Sequence, residues 1–154
     1  MPPLIIETPN SLKDFAGREI AVTDWFAVTQ DRIQQFAEAT EDRQWIHLDV
    51  ERSQRESPFG TTIAHGFLTL SLLSYFMKQA LHVKGGLRMA INYGSNRVRF
   101  PSPVRSGAKI RARVSLQTFK ELPDCVEAVF AVSMESEGGE KPCCVAETIV
   151  RYYW

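Results

Sequence analysis

A chain of 154 residues in which 18 Lys and Arg balance 18 Asp and Glu fits one domain, residues 1–154, and lacks the field that would draw a nucleic acid. The 44% apolar and 23% charged shares are those of a globular protein, and a neutral total still permits a local basic patch for a phosphorylated ligand. The three cysteines, Cys125 and the adjacent Cys143 and Cys144, show neither CxxC nor zinc-finger spacing, so reduced, buried thiols and no metal site are expected.

The N-terminal MPPLIIETPNSLKDF has no basic start and no apolar run of signal-peptide length, which points to a cytoplasmic protein. REIAVTDWFAVT, residues 18–29, is β-rich and ends at Thr29, a suitable N-cap. A helix is predicted from there, with Asp31 in the first turn where the dipole favours it. Ile33, Phe36, Ala37 and Thr40 face inward at helical spacing, while Arg32, Gln35 and Glu38 face water.

EDRQWIHLD follows. On one continuous helix Asp42 and His47 would lie about 140° apart, so they converge only if the backbone turns between them. Burial of Trp45 and Ile46 gives a reason for such a turn. Asp49 reads as the cap of a short helix, DVERSQRE, and SPFGTT is a loop marked by Pro58 and Gly60.

IAHGFLTLSLLSYFMKQALHV reads as a helix apolar on nearly every side between Phe67 and Met77. It is too short to insert in a bilayer, which needs about 20 apolar residues, so it must be wrapped by the rest of the fold. The wrapper comes downstream. LRMAINYGSNRVRF is followed by AKIRARVSLQTF, in which Ile110, Ala112, Val114 and Leu116 alternate with Lys109, Arg111, Arg113 and Ser115. A second alternating run carries Val126, Ala128, Phe130, Val132 and Met134, and EGGEKP turns the chain into CCVAETIVRYYW. The expected architecture is α+β: an antiparallel sheet of five or six strands curled around a long central helix. Its open edges would favour pairing into a homodimer.

FAEATEDRQWIHLDVERSQRESPFGTTIAHGFLTLSLLSYF resembles the hydratase signature of the MaoC-like dehydratases, the (R)-specific enoyl-CoA hydratases, and NYGSNRVRFPSPVRSG resembles the second block of that family. The resemblance spans roughly residues 15–154 and is strongest to the small, single-domain, NodN-like branch. It implies a hot-dog fold, a homodimer with one continuous sheet, and hydration of trans-2-enoyl thioesters to (R)-3-hydroxyacyl thioesters. It also implies that Asp42 and His47 hold the reacting water, that the Gly66 N–H receives the thioester oxygen, and that Ser74 hydrogen-bonds the aspartate. Where many members carry Asn and Pro, Gln44 and Trp45 stand here, which leaves the orienting role of that Asn open at Gln44.

The reaction needs a held water, removal of its proton as oxygen attacks C3, a proton delivered to C2, and a donor for the enolate oxygen. A carboxylate and a neutral imidazole that share one water can divide the proton transfers, acting as one coupled unit. A free N–H at a helix start suits the oxyanion, and a glycine there admits the substrate closely.

Read singly, several of these residues have plainer roles. Asp42 alone reads as a helix-end cap and Ser74 as a small residue in a tight contact. His65 reads as orienting the loop before the helix rather than as a second catalytic group, and His82 as a helix-end or surface residue. Asn92, Tyr93 and Asn96 suit either the acyl or pantetheine channel or ordinary turn chemistry. Lys109, Arg111 and Arg113 fit a solvated strand face better than a CoA phosphate site. The expected ligand is an acyl-CoA or acyl-carrier-protein thioester, with no other cofactor. The rival functions are a hot-dog thioesterase, which would attack the carbonyl instead of C3, and a non-catalytic acyl-thioester binding module.

Overall fold

The computed structural model describes residues 1–154. The chain begins with β1 (Leu4–Ile6), a 3-10 helix (Pro9–Phe15), β2 (Arg18–Val22) and β3 (Phe26–Ala27). Three helices follow: α1 (Gln30–Thr40), α2 (Trp45–Leu48) and α3 (Val50–Glu56). Then come α4 (Gly66–Ser71), α5 (Leu73–Ala80), β4 (Leu81–Val83) and four long strands: β5 (Met89–Arg99), β6 (Lys109–Glu121), β7 (Cys125–Ser136) and β8 (Cys144–Tyr153).

Alternation in the sequence becomes a sheet with one dry face. β6, β7 and β8 form an antiparallel meander within the order β2-β6-β7-β8-β5, and β3 extends the β2 edge on β6. Ile110, Ala112, Val114 and Leu116 are fully buried, as are Val126, Ala128, Phe130 and Met134 on β7. The opposite face carries the strand charges. Arg111 and Arg113 both meet Glu135, Arg113 also meets Glu19, and Arg151 meets Glu127. These basic residues are therefore engaged in cross-strand pairs, as a solvated strand face requires.

α4 and α5 act as one helical run, 66–80. Leu72 between them keeps right-handed dihedrals, and the amides of Leu72 and Phe76 still bond the carbonyls four residues back. Leu68, Leu72, Leu73, Phe76 and Ala80 bury one side of the run against the sheet. The expectation of burial on every side is corrected here: Phe67 is 69% and Tyr75 41% exposed, and Ser71 and Ser74 are also exposed. One sheet covers one face of a helix, and the uncovered face runs beside the edge strand β5, itself exposed along nearly its whole length.

Two further details differ from the sequence reading. β1 pairs in parallel with β4, and His82 in the middle of β4 is exposed, the surface position that was one of its two expected places. Thr40 points to water and donates to the Phe36 carbonyl instead of packing inward. The cysteines are free and buried, and burial pushes the Cys143 thiol up to about 12 and that of Cys144 up to about 11. No helix is long and apolar enough to cross a membrane.

Candidate active site

α1 starts where the sequence indicates, with the Thr29 hydroxyl accepting from the Arg32 amide. It ends at Glu41, whose φ of 61° and ψ of 12° are left-handed. This one residue makes the required turn, since a left-handed residue after a helix redirects the chain at once. α2 then begins at Trp45, so the polar side chain carried inward is His47, 6% exposed, while Trp45 and Ile46 are only half-buried. Trp45 is roofed by the Arg52 guanidinium 4.2 Å from its ring centre. Asp49 caps α3 by accepting from the Arg52 amide at 2.9 Å.

His47 is fixed on two sides. Its Nδ1 lies 2.7 Å from the Ile63 carbonyl oxygen. A carbonyl only accepts, so Nδ1 carries the proton and Nε2 keeps its lone pair. The His47 carbonyl in turn accepts from Gln30 Nε2 at 2.7 Å, and the Thr62 hydroxyl donates to Gln30 Oε1 at 2.6 Å. Burial holds the imidazole below its ordinary pKa; the Ile63 bond and the Asp42 charge oppose that shift, and neighbouring His65 adds to it. The ring is thus kept neutral, with a basic nitrogen available.

Asp42 remains exposed, its side chain accepting one long 3.5 Å bond from the Gln44 amide. The backbone turn brings it to the histidines: one carboxylate oxygen of Asp42 and one ring nitrogen each of His47 and His65 lie within 4.8 Å of one another. A water with bonds of about 2.8 Å bridges partners roughly 4.5 Å apart. Donors about 2.1 Å from one metal ion would stand nearer 3.4 Å apart. A limit of 4.8 Å admits either arrangement, and one His65 nitrogen is already committed to the Asp42 main chain at 2.9 Å.

The remaining motif residues fall in different places. Gly66 opens α4 and, as its first residue, has no acceptor within the helix for its N–H. The Phe100 ring packs so closely that a β-carbon on Gly66 would stand 2.8 Å from it. Beside them is a largely apolar cavity of about 290 Å³, lined by residues including Phe59, Ile63, Gly66, Thr69 and Phe100. The larger trough, about 790 Å³, lies among Arg97, Arg113, Ser133 and Glu147 on the outer sheet face and contains none of Asp42, His47, Gly66 and Ser74.

Ser74 does not meet Asp42. It sits on the uncovered side of α5, where its hydroxyl accepts from Asn92 Nδ2 at 3.0 Å. The pair lines a groove between helix and edge strand. Asn96 falls at a break in the β5–β8 register, between Ser95 and Arg97, as Tyr93 does between Asn92 and Gly94. Gln44 serves through its main chain, accepting from the His47 amide at 3.0 Å. Gln30, Thr62 and the Ile63 carbonyl were not legible as site elements, because a first-turn glutamine and a loop threonine carry no pattern of their own.

A curled antiparallel sheet on a central helix, with Asp and His gathered before the helix, defines a hot-dog protein of the hydratase type. A profile of the MaoC like domain matches residues 12–136, and the chain belongs to the MaoC-like dehydratase family. It is 48% identical over 147 residues to the 3-hydroxyacyl-thioester dehydratase Z of Mycobacterium tuberculosis strain H37Rv, covering 95% of this chain and 96% of that one. It is 40% identical over 139 residues to the nodulation protein N of Rhizobium leguminosarum bv. viciae, covering 88% and 86%. Among solved structures, the unliganded R-hydratase of Pseudomonas aeruginosa superposes with a TM-score of 0.70 at 24% identity, over 88% of this chain and 79% of the other.

Proposed function

We propose that this protein is a 3-hydroxyacyl-thioester dehydratase that works in either direction, hydrating a trans-2-enoyl thioester to the (R)-3-hydroxyacyl thioester in the forward sense. The observation that carries the reading is the convergence of the Asp42 carboxylate with a His47 ring whose Nδ1–H is already committed to a carbonyl. The activity named for the mycobacterial relative supports it.

In this mechanism Asp42 and His47 hold one water between them and share its proton as oxygen forms the bond to C3. The proton returns to C2 of the enolate from the same coupled pair, so no net charge is left on the protein. The Gly66 N–H donates to the thioester oxygen, where charge develops. The apolar cavity beside Gly66 takes the part of the substrate next to that carbonyl. Ser74, Asn92 and Asn96 lie along the helix–strand groove and its margin, and contact the acyl or pantetheine chain there. The thioester is borne by CoA or an acyl carrier protein, and no other cofactor takes part. The working unit is a cytoplasmic homodimer in which β5 edges pair and the bare helix faces are covered.

The test follows the loss of conjugated enoyl-thioester absorbance with crotonyl-CoA. Asp42→Asn and His47→Ala should each cost at least about 100-fold in kcat, the range for removing a general acid–base group. Chiral analysis of the product should give the (R)-alcohol. Thioester cleavage instead of hydration, or activity retained in both variants, would refute the assignment.

A further inference from the structure

The reading above employs His47 and leaves His65 without a task, although His65 is only 3% exposed. Its Nε2 lies 2.9 Å from the main-chain carbonyl of Asp42, so Nε2 carries the proton and donates. Its ring lies face to face on His47, with centres 3.8 Å apart and planes 24° from parallel. Phe36 closes on the His65 ring at 5.0 Å, and the His65 carbonyl accepts from the Thr69 amide at 3.2 Å. The ring is therefore packed against α1 and its backbone is tied to α4, while it contacts both members of the proposed pair.

Its other nitrogen, Nδ1, is buried with no partner. An unpaired buried acceptor is destabilising, and a phenylalanine could fill the same stack without one. What phenylalanine could not supply is the N–H to Asp42. A glutamine could supply the N–H but not the flat surface beneath His47. Histidine is the residue that does both at once.

We propose that His65 is a positioning residue of the hydration step: it clamps the Asp42 backbone through Nε2 and the His47 ring through stacking, so that both reach one water. It touches no reacting atom itself. The inference rests on the hydratase reading and goes beyond it, since it assigns the second buried histidine a kinetic role. Displacement of a reacting group by about 1 Å can cost about 100-fold in rate, and loosening either contact permits a shift of that size.

Two measurements test it. In the wild-type protein, nitrogen NMR of the imidazoles should find His65 protonated on Nε2 and His47 on Nδ1; a His65 protonated on Nδ1 overturns the clamp without any variant. In crotonyl-CoA hydration, His65→Phe keeps the stack and loses the donor, so kcat should fall roughly 30- to 100-fold with KM within about 3-fold. His65→Gln restores an N–H and should recover at least about 5-fold of that kcat. Thermal midpoints of both variants are recorded alongside. If kcat of His65→Phe stays within about 3-fold of wild type, or if both variants lose kcat in step with their thermal midpoints and Gln gives no recovery, the positioning role is overturned. An inactive wild type would refute the hydratase reading itself, whereas an active wild type with an insensitive His65→Phe would refute only the role given to His65.

Discussion

Gly66→Ala tests whether the approach at the start of the central helix is as close as the structure has it. The added β-carbon would stand 2.8, 2.9 and 3.0 Å from three ring carbons of Phe100. Carbon atoms pack best at about 3.5–4.0 Å, so the ring must move by more than half an ångström. Overpacking costs about 1–3 kcal/mol. Phe100 is 40% exposed and stands edge-on to Phe67, itself 69% exposed, so the ring has room to swing and the low end, about 1 kcal/mol, is expected. For a chain of this length that is a fall of roughly 2–4 °C in Tm. The loss of hydratase activity should be larger than so small a stability change explains, because the methyl group and the displaced ring both intrude where the proposed mechanism brings the thioester oxygen. The decisive assay is the double-mutant cycle with Phe100→Ala, followed by urea unfolding and crotonyl-CoA turnover. Removing the ring should relieve the clash, giving a coupling of about 1 kcal/mol. Strict additivity in stability, or full activity in Gly66→Ala alone, would refute the reasoning.

Because burial holds His47 below its ordinary pKa, kcat/KM should stay on its plateau below the usual imidazole value near 6.5 before the acid limb begins. The same depression makes stability pH-dependent. The unfolded chain binds a proton at His47 more readily, so the contribution of the neutral ring is fully present above about pH 6.5 and is lost as pH falls toward the folded value. Urea unfolding at pH 7.5 and 5.5 should show this slope reduced in His47→Gln. If β5 edges pair as proposed, Ile91→Lys, on the exposed edge strand where Met89 and Tyr93 also face solvent, should halve the mass seen by light scattering; an unchanged mass would refute that pairing. Glu41→Gly removes the left-handed penalty at the end of α1 at the cost of an exposed pairing with Arg43. It should raise stability by roughly 0.5–1 kcal/mol, read as a small increase in Tm.

The fold was legible where one pattern had one physical reading. Lys109 to Ser115 alternates because one face is wet, and the three-strand meander follows from it. Thr29 and Asp49 cap helices because their side chains meet orphan amides, a local matter visible in sequence. The burial of helix 66–80 was overread. Apolar residues on every side state that both faces seek cover, yet not whether the same chain supplies it, and Phe67 and Tyr75 show that here it does not. The parallel pairing of Leu4–Ile6 with Leu81–Val83 joins segments far apart in sequence and too short to show a period. Within the site, the need for a turn between Asp42 and His47 was clear from helical geometry, but its seat at Glu41 was not, since glutamate has no preference for positive φ. Ser74 was expected beside Asp42 and lies against Asn92 because α5 turns that side chain toward the edge strand.

The bonds that build the site explain how segments 42–47 and 62–65 hold together despite the departures at Gln44 and Trp45. Segment 42–47 is stitched to segment 62–65 almost wholly through main-chain acceptors. The Ile63 amide donates to the Ile46 carbonyl at 3.0 Å, His47 Nδ1 donates to the Ile63 carbonyl, and His65 Nε2 donates to the Asp42 carbonyl. Gln30 and Thr62 add a side-chain bridge that ends on the His47 carbonyl. A carbonyl is present whatever the side chain, so positions 44 and 45 are free to hold Gln and Trp without disturbing the stitching. Once these bonds are assigned, the Asp42 carboxylate keeps only the long bond from the Gln44 amide, and His47 Nε2 and His65 Nδ1 stay unbonded. Fixing a segment by its backbone while leaving free the side-chain atoms that the proposed mechanism uses keeps those atoms in place before the substrate arrives, which is where catalysis by a held water would draw its advantage.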